Sequence, residues 1–359
     1  MNEIDTLLER AEALPYGSEQ VALVEEAVRL ADLQGDLEEG FRTREALLEA
    51  ATFGGYPEKT LTAMAWCLAQ SDRDPERFPP ENLLWEYKWV LRAALSFPQV
   101  PWSRLEATLA DFERRAAACG VGQRVVLGKR FDLALHRGDL ETARRLYPQW
   151  SYAPRDWLSD CAACEAQDGV RLAIESGNAE SAFSRAKRLL AGQLTCDSKP
   201  EATYASLLVP ALRLGRPEQA EEFFERGYPL VRARRNMLDL CGEHLAYLAL
   251  THDYGRGAAL LERHLPWALE ATDLLDRFNF ELGASLWLGR LEREGVQKLN
   301  VHLPAEQLPG DLDTSSVPAL QGFLEGRLRD LAARFDARNG TGYFAQRLEE
   351  RSELLNLRA

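Results

Sequence analysis

Phe131-Asp132-Leu133-Ala134-Leu135-His136-Arg137-Gly138-Asp139-Leu140-Glu141-Thr142-Ala143-Arg144-Arg145-Leu146-Tyr147 sets the architecture of this chain. An apolar run closes on a Gly-Asp turn, and a small residue, Ala143, stands five positions after the glycine. The figure recurs at Gly177-Asn178 with Ala182, at Gly215-Arg216 with Ala220 and at His252-Asp253 with Gly257. The turns lie about 38 residues apart, the length of one helical hairpin per repeat. Four residues further on comes a large side chain, Tyr147, Phe224 or Leu261, and in the Gly177 repeat Ala186. A small residue lets two helices approach, and a large one fills the neighbouring groove. The pattern predicts an all-α fold, an α-solenoid of antiparallel hairpins with no enclosed catalytic cavity.

The remaining segments carry helical stripes. Leu105, Leu109, Phe112, Ala116 and Cys119 mark one face of a 3.6-residue period. Ser103 and Glu106, behind Pro101-Trp102, predict a capping box at the start of that helix. Val21, Val24 and Val28 form a second stripe, which Gly35-Asp36 ends. Turn signals at Gly54-Gly55, Asp74-Pro75 to Pro80, Phe97-Pro98 to Pro101 and Gly120 to Gly122 predict helices over 18–34, 37–53, 57–71, 81–96, 102–119 and 123–137. The chain thus reads as irregular helical repeats over 1–122, regular repeats over 123–296, a polar loop or linker over 297–317, and capping helices within 318–359. A cap is needed because the last repeat otherwise exposes an apolar face.

A net charge of −13 repels phosphate backbones and anionic membrane surfaces, so neither nucleic acid nor membrane is an expected partner. Arg114-Arg115, Arg144-Arg145 and Arg232 with Arg234-Arg235 read as solvated helix faces. The acidic opening Asn2-Glu3-Ile4-Asp5 is unlike a signal peptide, and no run nears 18 uninterrupted apolar residues; both predict a cytoplasmic protein. Six cysteines are too few for a disulfide scaffold in 359 residues, and the cytoplasm would keep them reduced.

Cys161-x-x-Cys164, joined by Cys196, is the metal-like pattern. A helix rising from Glu165 to Ser176 and a partner descending from Ala179 to Ala191 each cover roughly 18 Å at about 1.5 Å per residue, which returns Cys196 beside Cys164. Three thiols at one end of a hairpin suit a structural Zn²⁺, with Asp160, Asp197 or a residue of the next repeat as fourth ligand. Free or packed thiols and a redox-sensing disulfide are the alternatives. A thioredoxin-type role needs a strand-to-helix turn that the pattern lacks. Cys67, Cys119 and Cys241 read as small core residues.

Other patterns read as structure. Gly122 to Gly128-Lys129-Arg130 has five residues between its glycines where a phosphate loop has four, and no Ser or Thr follows the lysine. His244 and His264, within predicted helices and without a ligand partner at i+4, read as ordinary packed or surface histidines, and His136 and His252 as partners of helix-end carbonyls. Asn339-Gly340-Thr341 reads as a turn between the last helices. Trp85 and Trp89, one turn apart, either pack between repeats or anchor a bound peptide.

Asp160-Cys161-Ala162-Ala163-Cys164, Gly192-Gln193-Leu194-Thr195-Cys196, Leu261-Glu262-Arg263-His264-Leu265 and Ala333-Arg334-Phe335-Asp336-Ala337-Arg338-Asn339-Gly340 resemble uncharacterised bacterial proteins of the tetratricopeptide-repeat type. The small-then-large pattern is similar to the second helix of that repeat. The resemblance implies a TPR-like superhelix and a bacterial source, and carries no assigned activity. The expected function is a non-enzymatic scaffold or adaptor that binds a protein or peptide on its concave face. Its contacts are expected at Lys129, Arg232, Arg235, Asn236, Glu243 and Tyr247, with Trp85 and Trp89 as aromatic anchors. The rival reading is a regulatory sensor of metal, redox state or peptide, switched at Cys161, Cys164 and Cys196.

Overall fold

The computed structural model describes residues 2–356, which form seventeen α-helices and three short 3₁₀ turns. No β-strand occurs among the described residues, where the only extended pairings are two isolated bridges, Cys196 with Lys199 and Lys298 with Ser316. None of the described helices is long and apolar enough to cross a membrane. The chain divides into two compact units, and the division falls inside one helix, between Lys129 and Arg130.

The first unit runs to Lys129 and takes in Tyr152–Ser159 and Arg234–Asn236. Its helices are α1 (Glu3–Glu12), α2 (Ser18–Gln34), α3 (Leu37–Gly54), α4 (Pro57–Arg73), α5 (Leu84–Leu95) and α6 (Trp102–Ala118), each packed against the next. The boundaries follow local chemistry. Gly35, with φ of 68°, closes α2, and Asp36 opens α3 by accepting the amides of Glu38 and Glu39 at 2.9 and 3.1 Å. Phe41 stacks on Phe78 at 4.7 Å, and Tyr87 meets Phe112 edge-on at 5.5 Å.

Two sequence expectations fail in this unit. Pro101, not Ser103, stands at the N-cap of α6, and no side chain caps the helix. The fixed φ of the proline starts the helix two residues early, so Ser103 falls inside the first turn and Glu106 instead accepts the Trp102 indole N–H at 3.0 Å. Cys119 is half-exposed at the C-cap of α6, outside the core that encloses Cys67.

The second unit holds Arg130–Ser151, Asp160–Ala233 and the chain from Met237. Helix α7 (Gln123–His136) enters it and turns into α8 (Leu140–Tyr152); three hairpins follow, α9 (Ala162–Glu175) with α10 (Ala179–Leu190), α11 (Glu201–Arg213) with α12 (Pro217–Val231), and α13 (Leu238–Leu250) with α14 (Tyr254–Glu270). The first helices also pack in succession, α9 on α11, α11 on α13, and α13 on α15 (Leu274–Arg293). A loop leads from α15 to α16 (Val317–Asn339) and α17 (Tyr343–Leu354). Its ends are tied by the Lys298–Asp313 ion pair at 2.7 Å and by the Leu299 amide donating to the Ser315 carbonyl at 2.7 Å.

The four repeating turns are the same structure in atomic detail. Gly138, Gly177 and Gly215 have φ of 75°, 70° and 66°, and His252 takes the same left-handed conformation at 56°. In each, the next amide reaches back five residues: Asp139 to Ala134, Asn178 to Ala173, Arg216 to Ala211 and Asp253 to Leu248, at 2.9 to 3.1 Å. Asp139, Asn178 and Asp253 then cap the second helix by accepting an amide three residues on. Ala143, Ala182 and Ala220 are fully buried, as the spacing requires. At Gly257 a Cβ would stand 2.0 Å from the Trp287 indole nitrogen, so only glycine fits.

Candidate metal centre

Cys161, Cys164 and Cys196 come together at one end of the α9–α10 hairpin. Cys161 occupies the N-cap of α9, where its sulfur accepts the Cys164 amide at 3.4 Å, in the place an Asp or Ser oxygen normally takes. Cys164 stands one turn in. Cys196 follows α10 in a tight loop closed by reciprocal hydrogen bonds with Lys199, at 3.3 and 3.2 Å. The Sγ atoms of Cys164 and Cys196 are 3.6 Å apart, and all three sulfurs lie within 4.8 Å of one another. The hairpin legs return Cys196 to Cys164 as the helix lengths require. A buried hydrogen bond from Thr203 Oγ1 to Gln167 Oε1 at 2.7 Å and a half-buried one from Gln167 Nε2 to Ser206 Oγ at 3.1 Å brace the joint, linking α9 to α11.

The three cysteines are free thiols. The hydrogen bond from Cys164, aided by the Ser198 backbone amide and the Lys199 charge, draws the Cys196 thiol down to about 5. The same hydrogen bond, together with burial, pushes Cys164 up. One shared proton between two sulfurs explains both directions. Tetrahedral sulfurs at a Zn–S length of about 2.3 Å sit about 3.8 Å apart, so the donor set fits a Zn²⁺ ion in spacing and in chemistry. Cys161 is exposed and the other two are half-buried, which gives an ion a path in. No His, Asp or Glu joins the cluster among the described residues, so neither Asp160 nor Asp197 completes it as the sequence suggests. Both aspartates have interactions of their own.

The expected partner-binding residues are divided between the units. Trp85, Trp89, Lys129, Arg235 and Asn236 belong to the first. Trp85 is 39% exposed, with the Lys88 ammonium 3.2 Å over its ring, while Trp89 is half-buried edge-on to Phe53 at 5.3 Å. Lys129, Arg235 and Asn236 are half-buried, and Asn236 lies against Gly55. In the second unit, Arg232 is exposed and Glu243 half-buried. Tyr247 is only 2% exposed and its hydroxyl donates to Glu221 Oε2 at 2.5 Å. Gly128 and Lys129 lie within α7, and Gly122, just before it, donates its amide to Asp156 Oδ2 at 2.7 Å, a carboxylate where a phosphate loop would hold an anion.

Two features of the second unit escaped the sequence reading, and a third decides between the packed and surface options that it left open. His244 and His264 are fully buried; Tyr228 meets His264 Nε2 at 3.1 Å, and neither nitrogen of His244 has a hydrogen-bond partner among the described residues. Gly242 and Gly283 bring α13 and α15 into backbone contact: a Cβ at Gly283 would stand 2.0 Å from the Gly242 carbonyl oxygen. Two glycines in apolar helices without turn residues beside them were the available signal. His252 bonds the Glu294 carboxylate through Nδ1 at 2.6 Å, in addition to any role at the helix end. Compared with known families and with curated proteins, the chain matches no family model and no curated protein.

Proposed function

We propose that this chain is a non-catalytic helical-repeat adaptor of the TPR-like solenoid type. In this reading it docks a protein or peptide across the first helices of its hairpins, and a thiolate-bound Zn²⁺ fixes the α9–α10–α11 joint. The observation that carries the metal half of the reading is the convergence of Cys161, Cys164 and Cys196 within 4.8 Å where two hairpins meet. Cys161, Cys164 and Cys196 would hold the ion, with a fourth ligand from outside this donor set. When bound, the metal supplies a cross-link between the start of α9 and the loop before α11. The succession of α9, α11, α13 and α15 supports the adaptor half, because stacked first helices offer many modest contacts to one ligand.

The 3.6 Å approach of Cys164 and Cys196 favours one second reading, a regulatory joint set by metal or by redox state. Recovering the tagged chain from its native cell, with and without a chelator, tests the adaptor. A protein held stoichiometrically and lost with the chelator is the expected result. No associated protein in either sample would remove the adaptor reading.

A further inference from the structure

The face formed by the ends of α7 and α9 with α16 and parts of α13 and α15 already holds a helix of this chain. Tyr343, Phe344 and Arg347 lie within the first turns of α17 and supply its aromatic and cationic contacts: Phe344 stacks on Phe335 of α16 at 4.6 Å, while Asp336 accepts the Phe344 and Ala345 amides at 2.9 Å each and Arg351 bonds Ser285 and Glu325. The Tyr343 ring packs over Gly138, where a Cβ would stand 2.5 Å from it, and its hydroxyl donates to Glu175 Oε2 at 2.9 Å. The Phe344 ring lies 5.5 Å from that of His136 and 5.1 Å from that of Phe278. The Arg347 guanidinium stands 5.3 Å over Phe278. Burial pushes the Glu243 carboxyl up to about 7, the Arg347 charge draws it back, and Asp239 and Glu175 oppose that pull. An apolar slot and the Glu175 carboxylate thus receive two aromatic rings, a tyrosine hydroxyl and a guanidinium seated over Phe278.

Helix α17 is nonetheless lightly embedded. Phe344 is the one side chain within it that is fully buried, whereas α15 buries Phe278, Phe280, Trp287 and most of its length. A cleft of about 170 Å³, lined by Leu328, Leu348, Arg351 and Ser352 among others, opens between α16 and the C-terminal half of α17. Few buried apolar contacts and polar attachment mark a segment that opens before its unit unfolds.

We infer that this face is the docking surface of the adaptor, that α17 is its resident occupant, and that the partner is an amphipathic helix presenting adjacent aromatic residues and a cation one turn later. A resident occupant lowers the apparent affinity for any competitor by the fraction of time it is in place. That the competitor is another protein rests on the adaptor reading; that α17 is a detachable occupant does not.

The probe is a fluorescein-labelled synthetic peptide of residues 340–356, followed by anisotropy against the full chain. Phe344→Ala and Arg347→Glu full chains are expected to bind it at least ten-fold more tightly than the unaltered chain, and a peptide carrying Arg347→Glu to bind weakly to all of them. Equal binding by all three chains, including none, overturns the proposal. Should Phe344→Ala fail to fold, as far-UV circular dichroism would show, Arg347→Glu retains the aromatic anchor and serves alone. Hydrogen exchange on the unaltered chain gives a second reading: amides of 343–354 are expected to exchange at least 100-fold faster than those of α13 and α15, and equal protection overturns the proposal. Peptide capture without any partner recovered from the cell supports the resident occupant and counts only against the adaptor.

Discussion

At His244 and His264 the second unit encloses two imidazoles that its burial keeps neutral. Desolvation lowers both to about 3, well below the usual histidine range. The unfolded chain therefore binds protons at these sites from about pH 6.5 downward while the folded chain does not, so their contribution favours unfolding increasingly as pH falls towards 3. Each histidine contributes about 1.4 kcal/mol per pH unit. Glu45 and Glu243 oppose this between about 4.5 and 7, because burial raises both to about 7 and protonation relieves them. A His244→Leu variant isolates one histidine. Its stability relative to the unaltered chain is expected to rise by about 1.4 kcal/mol per unit between pH 6 and 4.5 in denaturant titrations; a pH-independent difference would contradict the buried neutral ring. Nothing in the local sequence distinguished these histidines, since their burial comes from Phe224, Tyr228 and Trp267 on other turns and helices. The cysteine cluster was legible because Cys-x-x-Cys and the return length of one hairpin are both local quantities. The absence of Asp160 and Asp197 from it was not, because a carboxylate's direction depends on the loop that carries it.

At the scale of elements, the helices from residue 18 to 137 and the four repeating turns could be read from glycines, prolines and apolar spacing, because each is fixed by residues within a few positions of it. Asn178 shows how: its side chain accepts the Ser181 amide at 2.9 Å. Asn178→Ala is expected to cost about 1 kcal/mol, read as a lower denaturant midpoint. Close approach between helices was less legible. Ala143, Ala182 and Ala220 follow the repeat, yet the close backbone-to-backbone contact joins Gly242 to Gly283, two helices apart along the chain. Gly283→Ala forces a methyl into the Gly242 backbone and is expected to destabilise the fold by about 3 kcal/mol or to shift α15. A Gly283→Ala protein melting with the unaltered chain would show that α13 and α15 are not in backbone contact. Pro148, Pro210, Pro229 and Pro266 lie inside helices that continue past them, so a proline marks a helix boundary only where turn residues accompany it.

Across the whole molecule, the succession of helices was legible, and the contacts between ends of the second unit were not. His136 and Phe344 meet across more than half the chain, and no spacing rule couples residues so far apart. The loop between α15 and α16 read as polar sequence, but its closure depends on Lys298 reaching Asp313. Metal would add stability on this scale. An ion bound only by the folded chain adds about 4 kcal/mol when free metal exceeds its dissociation constant a thousand-fold, so chelator is expected to lower the melting temperature of the unaltered chain and leave that of Cys161→Ser unchanged. An equal response by both proteins would place the chelator's effect elsewhere. The decisive quantity is the zinc content of protein purified without chelator, measured by mass spectrometry beside the Cys161→Ser variant. One zinc per unaltered chain, falling sharply in the variant, is the predicted result; an unaltered chain with no bound metal, or equal metal in both, would contradict a zinc-fixed joint.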